Sequence, residues 1–167
     1  HYWIVIAKML AAALAALLQA VLLLILLAVL GYLDAHMRFG LLALALLTTS
    51  AACAGIGMLV AAFTRTLDNF AAIMNFVIFP VFFLSGSLYP VSHLPTALKA
   101  VALVNPYTYG VDLLKHAMLA PLTTASGSDF SASTDIAVLA GFTSAALLIA
   151  SWRFSRESAY EPMIRIL

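Results

Sequence analysis

Long stretches without a charged residue constrain this chain more than any other feature of its sequence. A charged side chain at the centre of a bilayer costs about 2.5–3.5 kcal/mol on insertion scales. A helix needs about 20 residues, with a range of about 17–25, to cross the hydrocarbon. The uncharged stretches therefore predict four transmembrane helices, at about 9–33, 40–63, 70–89 and 136–152.

The composition supports a membrane location and excludes several other classes of protein. Hydrophobic residues make up 65% of the chain and charged residues 9%, too few to cover a water-facing surface. One cysteine, Cys53, forms neither an internal disulfide nor a zinc cluster, and a net charge of +1 gives no basic patch for nucleic acid. We therefore expect an all-α integral membrane protein with a single transmembrane domain over residues 1–167.

The segment before the last predicted span has a different character. It contains two apolar stretches, 95–104 and 107–119, each too short to cross a bilayer. Asn105-Pro106 lies between them. We expect a break in the helix there, because the residue before a proline is disfavoured in a helical conformation. We predict a pair of re-entrant or interfacial helices here, outside the cytoplasm, followed by a solvated Ser/Thr-rich loop over 122–134.

The distribution of basic residues predicts the orientation. With four spans both ends lie on one side, and that side carries five basic residues against three on the other. Cytoplasmic segments of membrane proteins carry the excess of Lys and Arg. Both ends are therefore expected in the cytoplasm.

The sequence contains no motif for catalysis by this chain. It has no GxxxxGK[ST] loop for nucleotide phosphates, no HExxH and no GxSxG nucleophile motif. Its four histidines are scattered near span ends or in loops, where a lone histidine is most often a plain interfacial residue. We expect no catalytic residue, no metal ligand and no enzyme activity.

A few polar and small residues inside the first two spans predict contacts between helices. Gln19 lies near the middle of the first span, where an amide in lipid seeks an interhelical partner. A pathway-lining role is the alternative for Gln19. Ala51 and Gly55 form a small-xxx-small pair that permits close packing in the second span.

The third span is the most informative. Asp68 or Asn69 marks its start, and Pro80 can kink it. An amide and a group of aromatic residues surround this proline, which is less common in an inert anchor, although lipid-facing Phe residues are also ordinary. From these features alone, a pathway or subunit-contact role and an inert span both stay open.

Over essentially its whole length, and most specifically over Phe70–Leu119, the sequence resembles the permease subunits of type-2 ABC exporters, the class that exports drugs, nodulation factors and polysaccharides. The family pattern is an apolar span ending in FLSG, followed by a (F/Y)P step, an LP step and NP-x-(T/S)-Y. The matching residues are Phe83-Leu84-Ser85-Gly86, Tyr89-Pro90, Leu94-Pro95 and Asn105-Pro106-Tyr107-Thr108-Tyr109. Of these, the resemblance assigns Ser85, Gly86, Asn105, Pro106, Tyr107 and Tyr109 to an outer re-entrant cap.

The resemblance implies a six-span permease, of which this chain carries the third to sixth spans. The first two spans and the cytoplasmic coupling helix of the family are expected to be missing. It further implies a homo- or heterodimer of permeases in the bacterial inner membrane, with ATP and Mg²⁺ on separate ATPase subunits and none in this chain. The third span here corresponds to the family's fifth, which lines the path near the dimer contact, and the resemblance thereby implies Asn75, Phe79, Phe82 and Phe83 as candidate lining or gating residues. Phe and Asn side chains along the path suggest a hydrophobic or amphipathic cargo.

Two other functions stay open. A structural membrane subunit or anchor, which binds partner helices and transports nothing, fits the alanine-rich spans. A half of a secondary transporter ranks last, because such proteins need a repeated broken helix and this chain has a single break at Pro80.

Overall fold

The computed structural model describes residues 2–32, 37–118 and 128–160, and every regular element in these ranges is helical. This confirms the predicted fold class, an all-α membrane protein. A short 3₁₀ helix, Val91–His93, follows the third α-helix. The α-helices are α1 Tyr2–Val29, α2 Phe39–Phe63, α3 Leu67–Phe83, α4 Thr96–Val104, α5 Pro106–Met118 and α6 Ala132–Tyr160.

Three of the helices are long and apolar enough to cross a membrane. The membrane-crossing segments are Trp3–Val29, Phe39–Phe63 and Ala132–Ser155. The 17 residues of α3 rise only about 26 Å, slightly less than the roughly 30 Å of a bilayer's hydrocarbon core. The prediction of four spans therefore rests on α3 together with the turn that follows it.

Helix α2 lies at the centre of the molecule and packs against α1, α5 and α6. Its buried positions are mostly small residues, which let neighbouring backbones approach closely. Helix α1 is largely exposed and is held mainly at its beginning, where Val5 and Met9 are buried against Met58, Ala62 and Ala150. The start of α1, the end of α2 and the end of α6 therefore lie at one end of the bundle.

A second apolar cluster forms the opposite end, which we call the cap end. There Tyr109 and Leu113 of α5 pack between Ala45 of α2 and Leu139 of α6. The beginning of α2 joins this end, since the Arg38 amide donates to the Ala117 carbonyl at 3.0 Å. Helix α5 is thus enclosed by protein, although it is too short to span a bilayer.

The first helix begins earlier and ends earlier than the predicted span 9–33. It runs over Tyr2–Val29 and closes in a Schellman motif, with Gly31 at φ +76°. The amides of Gly31 and Tyr32 donate to the carbonyls of Ala28 and Leu27, both at 3.0 Å. Residue 33 lies outside the described ranges.

The third helix is shorter than the predicted span 70–89, and the predicted end was wrong. It begins at Leu67, because the Thr66 hydroxyl accepts the Asn69 amide at 3.3 Å and so caps the first turn. It ends at Phe83, and the chain turns at Gly86, whose φ of +77° favours glycine. Uncharged, mostly apolar residues continue past this turn. The length of the uncharged stretch therefore placed the end of the helix too late.

The remaining boundaries lie close to the predicted ones, with one exception. Helix α2 starts one residue before the predicted 40–63, and α4 and α5 correspond to the predicted 95–104 and 107–119, with residue 119 outside the described ranges. Helix α6 is longer than the predicted 136–152, beginning at Ala132 and continuing to Tyr160. Of the expected loop over 122–134, residues 122–127 lie outside the described ranges.

Candidate functional site

The four candidate pathway residues share one face of α3. At 3.6 residues per turn, they fall within an arc of about 100° around the helix axis. All four are exposed, and α3 has no buried residue, because its contacts within the described part of the chain are few and mainly with α2 and α5. The structure therefore brings Asn75, Phe79, Phe82 and Phe83 together on one exposed face of α3, while their role in transport stays a prediction.

The aromatic residues of this face contact one another around Pro80. The rings of Phe79 and Phe83 stack at 6.4 Å, and Phe82 meets Phe83 edge to face at 5.8 Å. Pro80 lies inside α3, where its missing N–H removes the hydrogen bond to the carbonyl four residues earlier. The result is a continuous aromatic surface over the last turn of α3.

An apolar cavity of about 240 Å³ lies on the other side of Phe82, between α2, α3 and α5. Phe82 and Val81 line it from α3, Cys53 and Ile56 from α2, and Tyr107 from the start of α5. Since none of its lining residues is charged, the cavity suits an apolar group rather than an ion.

The end of α3 is tied to the cap by Asn105, which lies between α4 and α5. Its side-chain amide donates to the Val81 carbonyl at 2.8 Å, one of the carbonyls that a helix end leaves without an intrahelical partner. Its side-chain oxygen accepts the Tyr107 amide at 3.0 Å and so caps α5. One buried side chain therefore satisfies two helix ends.

The other predicted cap residues surround this junction. Ser85 and Gly86 are buried in the turn after α3, and the Ser85 hydroxyl donates to the Phe82 carbonyl at 2.6 Å. The Tyr109 hydroxyl donates to the Leu103 carbonyl at 2.8 Å, which links α5 back to α4. Pro106 opens α5 and is buried. All six residues assigned to the cap by resemblance thus meet at the junction of α3, α4 and α5.

Of the three residues predicted to mediate helix–helix contacts, one is buried, one is half-buried and one is exposed. Gly55 is buried, and a Cβ at this position would lie 3.1 Å from the Ala146 Cβ, so α2 and α6 meet closely there. Ala51 is half-buried, whereas Gln19 is exposed and its side chain has no hydrogen-bond partner among the described residues. The closest approach was missed by the sequence analysis: a Cβ at Gly110 would lie 2.6 Å from Thr49 Oγ1.

A cluster of three side chains lies between α5 and the first turn of α6, and the sequence analysis missed it as well. His116 Nε2 lies 3.8 Å from Asp112 Oδ2 and 3.9 Å from Asp135 Oδ2. The same nitrogen lies 2.8 Å from the Phe130 carbonyl oxygen. Asp112 and His116 are one helical turn apart on α5. This spacing could have indicated from the sequence that the two side chains are neighbours.

The carboxylate of Asp112 also organises the chain that leads into α6. Its two oxygens accept the amides of Asp129 and Phe130, at 2.7 and 3.0 Å. Asp129 in turn accepts the amides of Val91 and Ser92, at 3.0 and 3.1 Å. Two carboxylates therefore connect α5, the start of α6 and the 3₁₀ helix that follows α3.

Comparisons with known proteins identify one family model and several curated relatives. The family model described as "ABC-2 type transporter" matches residues 1–119. Nodulation protein J of Rhizobium leguminosarum bv. viciae is 37% identical over 117 residues, which is 70% of this chain and 44% of that protein. Nodulation protein J of Rhizobium meliloti (strain 1021) is 32% identical over 146 residues, or 87% of this chain and 55% of that protein.

The chain spans about half the length of the curated relatives that it matches. No solved structure matches it. The family match extends over α1 to α5 and so includes the exposed face of α3 and the junction around Asn105.

Proposed function

The chain belongs to the ABC-2 type transporter family, and we propose that it is the membrane-spanning permease subunit of an ATP-driven exporter. In this proposal two permease copies form the substrate pathway, and separate ATPase subunits bind ATP and Mg²⁺. The observation that carries the proposal is the family match over residues 1–119. The sequence is compatible with it, because it contains no phosphate-binding loop of its own.

The exposed face of α3 supports a role for a second copy in forming the pathway. Asn75, Phe79 and Phe83 are exposed on a helix that contacts the rest of the chain weakly. Two such faces, one from each copy, enclose a path between them in our proposal. Nucleotide binding drives transport only if it favours one permease state over the other, since a ligand with equal affinity for both states shifts nothing.

The lining chemistry favours a hydrophobic or amphipathic cargo. The aromatic surface of α3 and the uncharged cavity beside Phe82 both present apolar atoms. Asn75 adds one amide that can donate and accept hydrogen bonds. A cargo with an apolar part and a polar head matches both features.

We also propose that both ends of the chain face the cytoplasm of a bacterial inner membrane. The proposal is supported by the shared end of the bundle at which α1 starts and α2 and α6 end. To test it, Cys53 is replaced by Ala and single cysteines are introduced at two exposed positions, Leu67 and His93. A membrane-impermeant thiol reagent applied to whole cells should label the cysteine of His93→Cys and not that of Leu67→Cys; the reverse pattern contradicts this orientation.

The transport proposal is tested on the full-length permease reconstituted with its ATPase. Phe83→Ala and Asn75→Ala should lower ATP-dependent efflux of an amphipathic dye from vesicles and weaken the stimulation of ATP hydrolysis by that dye. Ile73→Ala is the matched control, because Ile73 is also exposed on α3 but lies outside the arc of the four candidate residues, about 120° around the helix axis from Phe79. It should leave both activities unchanged.

Two outcomes would count against this function. If Asn75→Ala and Phe83→Ala leave efflux and hydrolysis unchanged, the assignment of the α3 face is wrong. If the reconstituted wild-type protein neither moves solute nor alters the ATPase, a structural anchor is the better description.

A further inference from the structure

The cluster of Asp112, His116 and Asp135 has no part in the proposed pathway. It contains a fully buried carboxylate, that of Asp135, without a hydrogen-bond partner among the described residues. Asp135 has an exposed fraction of 0%, and neither of its carboxylate oxygens has a hydrogen-bond partner among the described residues. An unpaired carboxylate is costly to bury, and the cost is offset only by a nearby positive charge or by neutralisation. Something must therefore compensate Asp135.

The neighbouring groups do not account for Asp135 by ordinary hydrogen bonding. Asp112 already accepts two backbone amides, and the Ser131 hydroxyl, not Asp135, accepts the Thr134 amide in the first turn of α6. His116 Nε2 lies 3.9 Å from Asp135 Oδ2, beyond hydrogen-bond distance, and pairs with the Phe130 carbonyl. The Asp135 oxygens thus face the imidazole without bonding to it.

The separations within the cluster fit a shared metal ion. The candidate ligand atoms of Asp112, His116 and Asp135 all lie within 4.8 Å of one another. Two ligands that are each about 2.1 Å from one metal ion lie at most about 4.2 Å apart, so 3.8–3.9 Å corresponds to a wide ligand–metal–ligand angle. These distances are too long for hydrogen bonds but short enough for a coordination shell.

We propose that Asp112, His116 and Asp135 bind a divalent transition-metal ion, with Zn²⁺ or Mn²⁺ the best match, which joins α5 to α6 at the cap end. One imidazole and two carboxylates suit these ions, whereas Ca²⁺ and Mg²⁺ prefer oxygen ligands alone. The His116 side chain is 24% exposed and gives a route from solvent to the two buried carboxylates. Binding through Nε2 replaces the hydrogen bond to the Phe130 carbonyl and requires the tautomer of neutral His116 in which the ring proton is on Nδ1.

The site does not depend on the exporter proposal, because it lies within a single chain and away from the α3 face. Its consequence is mechanical. The metal ion would fix the end of α5 to the start of α6. Next to it, Asp112 accepts the Asp129 amide, and the Asp129 carboxylate accepts the Val91 amide of the 3₁₀ helix. The whole cap end would then move as one unit.

The test uses the tag-free full-length permease in detergent, stripped with a chelator and then exposed to Zn²⁺ alone. After desalting, elemental analysis should find one zinc ion per chain, and the midpoint of thermal unfolding should rise. Asp135→Asn should weaken zinc binding by more than about 100-fold, since even changes outside the ligand shell cost about 10–100-fold. Without metal its midpoint should equal or exceed that of the wild type, because the substitution removes an uncompensated buried charge.

Two further variants make the result decisive. His116→Gln keeps an amide able to donate to the Phe130 carbonyl but removes the nitrogen ligand, so it should fold and lose the zinc response. Asp68→Asn makes the same charge change at an exposed carboxylate in the first turn of α3 and should keep the full response. If the wild type retains no zinc, or if Asp135→Asn retains as much as the wild type, the proposed site is wrong.

Discussion

The contact between Gly110 and Thr49 gives the sharpest prediction about how this fold is held together. Gly110→Ala adds one methyl group where α5 crosses α2. The new Cβ would lie 2.6 Å from Thr49 Oγ1 and 2.7 Å from Thr49 Cγ2, closer than van der Waals contact allows. Rotation of Thr49 does not relieve this, because its Cβ carries two heavy atoms and every staggered rotamer leaves at least one of them towards α5.

The size of the effect follows from two opposing contributions. Overpacking a well-packed interior costs about 1–3 kcal/mol, whereas replacing Gly by Ala inside a helix gains about 0.8–1.0 kcal/mol. Gly57→Ala in α2 isolates the second contribution, since nothing lies within 4 Å of a Cβ there. The free energy of unfolding should therefore be about 1–3 kcal/mol lower for Gly110→Ala than for Gly57→Ala.

The assay is equilibrium unfolding of the full-length permease in mixed micelles, completed as a double-mutant cycle with Thr49→Ala. Thr49 Oγ1 is buried and has no hydrogen-bond partner among the described residues, so removing it costs little. In the Thr49→Ala background the nearest remaining side-chain atom is Cβ, at 3.2 Å, and Gly110→Ala should cost at least about 1 kcal/mol less. An equal loss in both backgrounds would refute the steric argument.

Two further predictions concern the turn and the junction after α3. Asn105→Ala should lower the free energy of unfolding by about 1–3 kcal/mol in the same assay, because the partly buried Val81 carbonyl and Tyr107 amide lose their side-chain partner. The exposed Asn69→Ala should change it by less than about 0.5 kcal/mol. Gly86→Ala should cost at least about 1 kcal/mol, because φ is +77° and the new Cβ would lie 3.0 Å from Val91 Cγ2, while Gly40→Ala, with open space around it, should be neutral or stabilising. If a substitution and its control change the free energy of unfolding equally, the stabilising role inferred for that position is wrong.

The sequence predicted well the limits of α2 and the break between α4 and α5, but charged residues were poor guides to α1 and α6, which run past Lys8 and Asp135. The limits of α2 differ from the predicted 40–63 by a single residue, and the break between α4 and α5 lies at Asn105-Pro106, as expected from the proline. The end of α3 was not predictable from hydropathy, because apolar residues continue beyond it. The helix ends at Phe83, and the chain turns at Gly86, where φ is +77°.

Of the two candidate sites, the sequence could group the residues of the α3 face but not all the residues of the cluster around His116. The face shared by Asn75, Phe79 and Phe83 follows from helical spacing alone, so the sequence was sufficient to group them. Asp112 and His116 share a face of α5 for the same reason, but Asp135 joins them only because α5 packs against the start of α6. Contacts between segments distant in the chain are not contained in a local pattern, and the cluster was therefore missed.

The enclosure of α5 explains how its polar residues are accommodated in so apolar a protein. Non-spanning helices at membrane depth are tolerated where protein, not lipid, surrounds them. Helix α5 meets this condition between α2 and α6, and Gly110 permits the close approach to α2. Since Asn105 bonds both the last turn of α3 and the first turn of α5, a rotation of α3 either breaks the bond to Val81 or moves α5 with it. The Asn105 side chain therefore connects the weakly packed α3 to the enclosed α5.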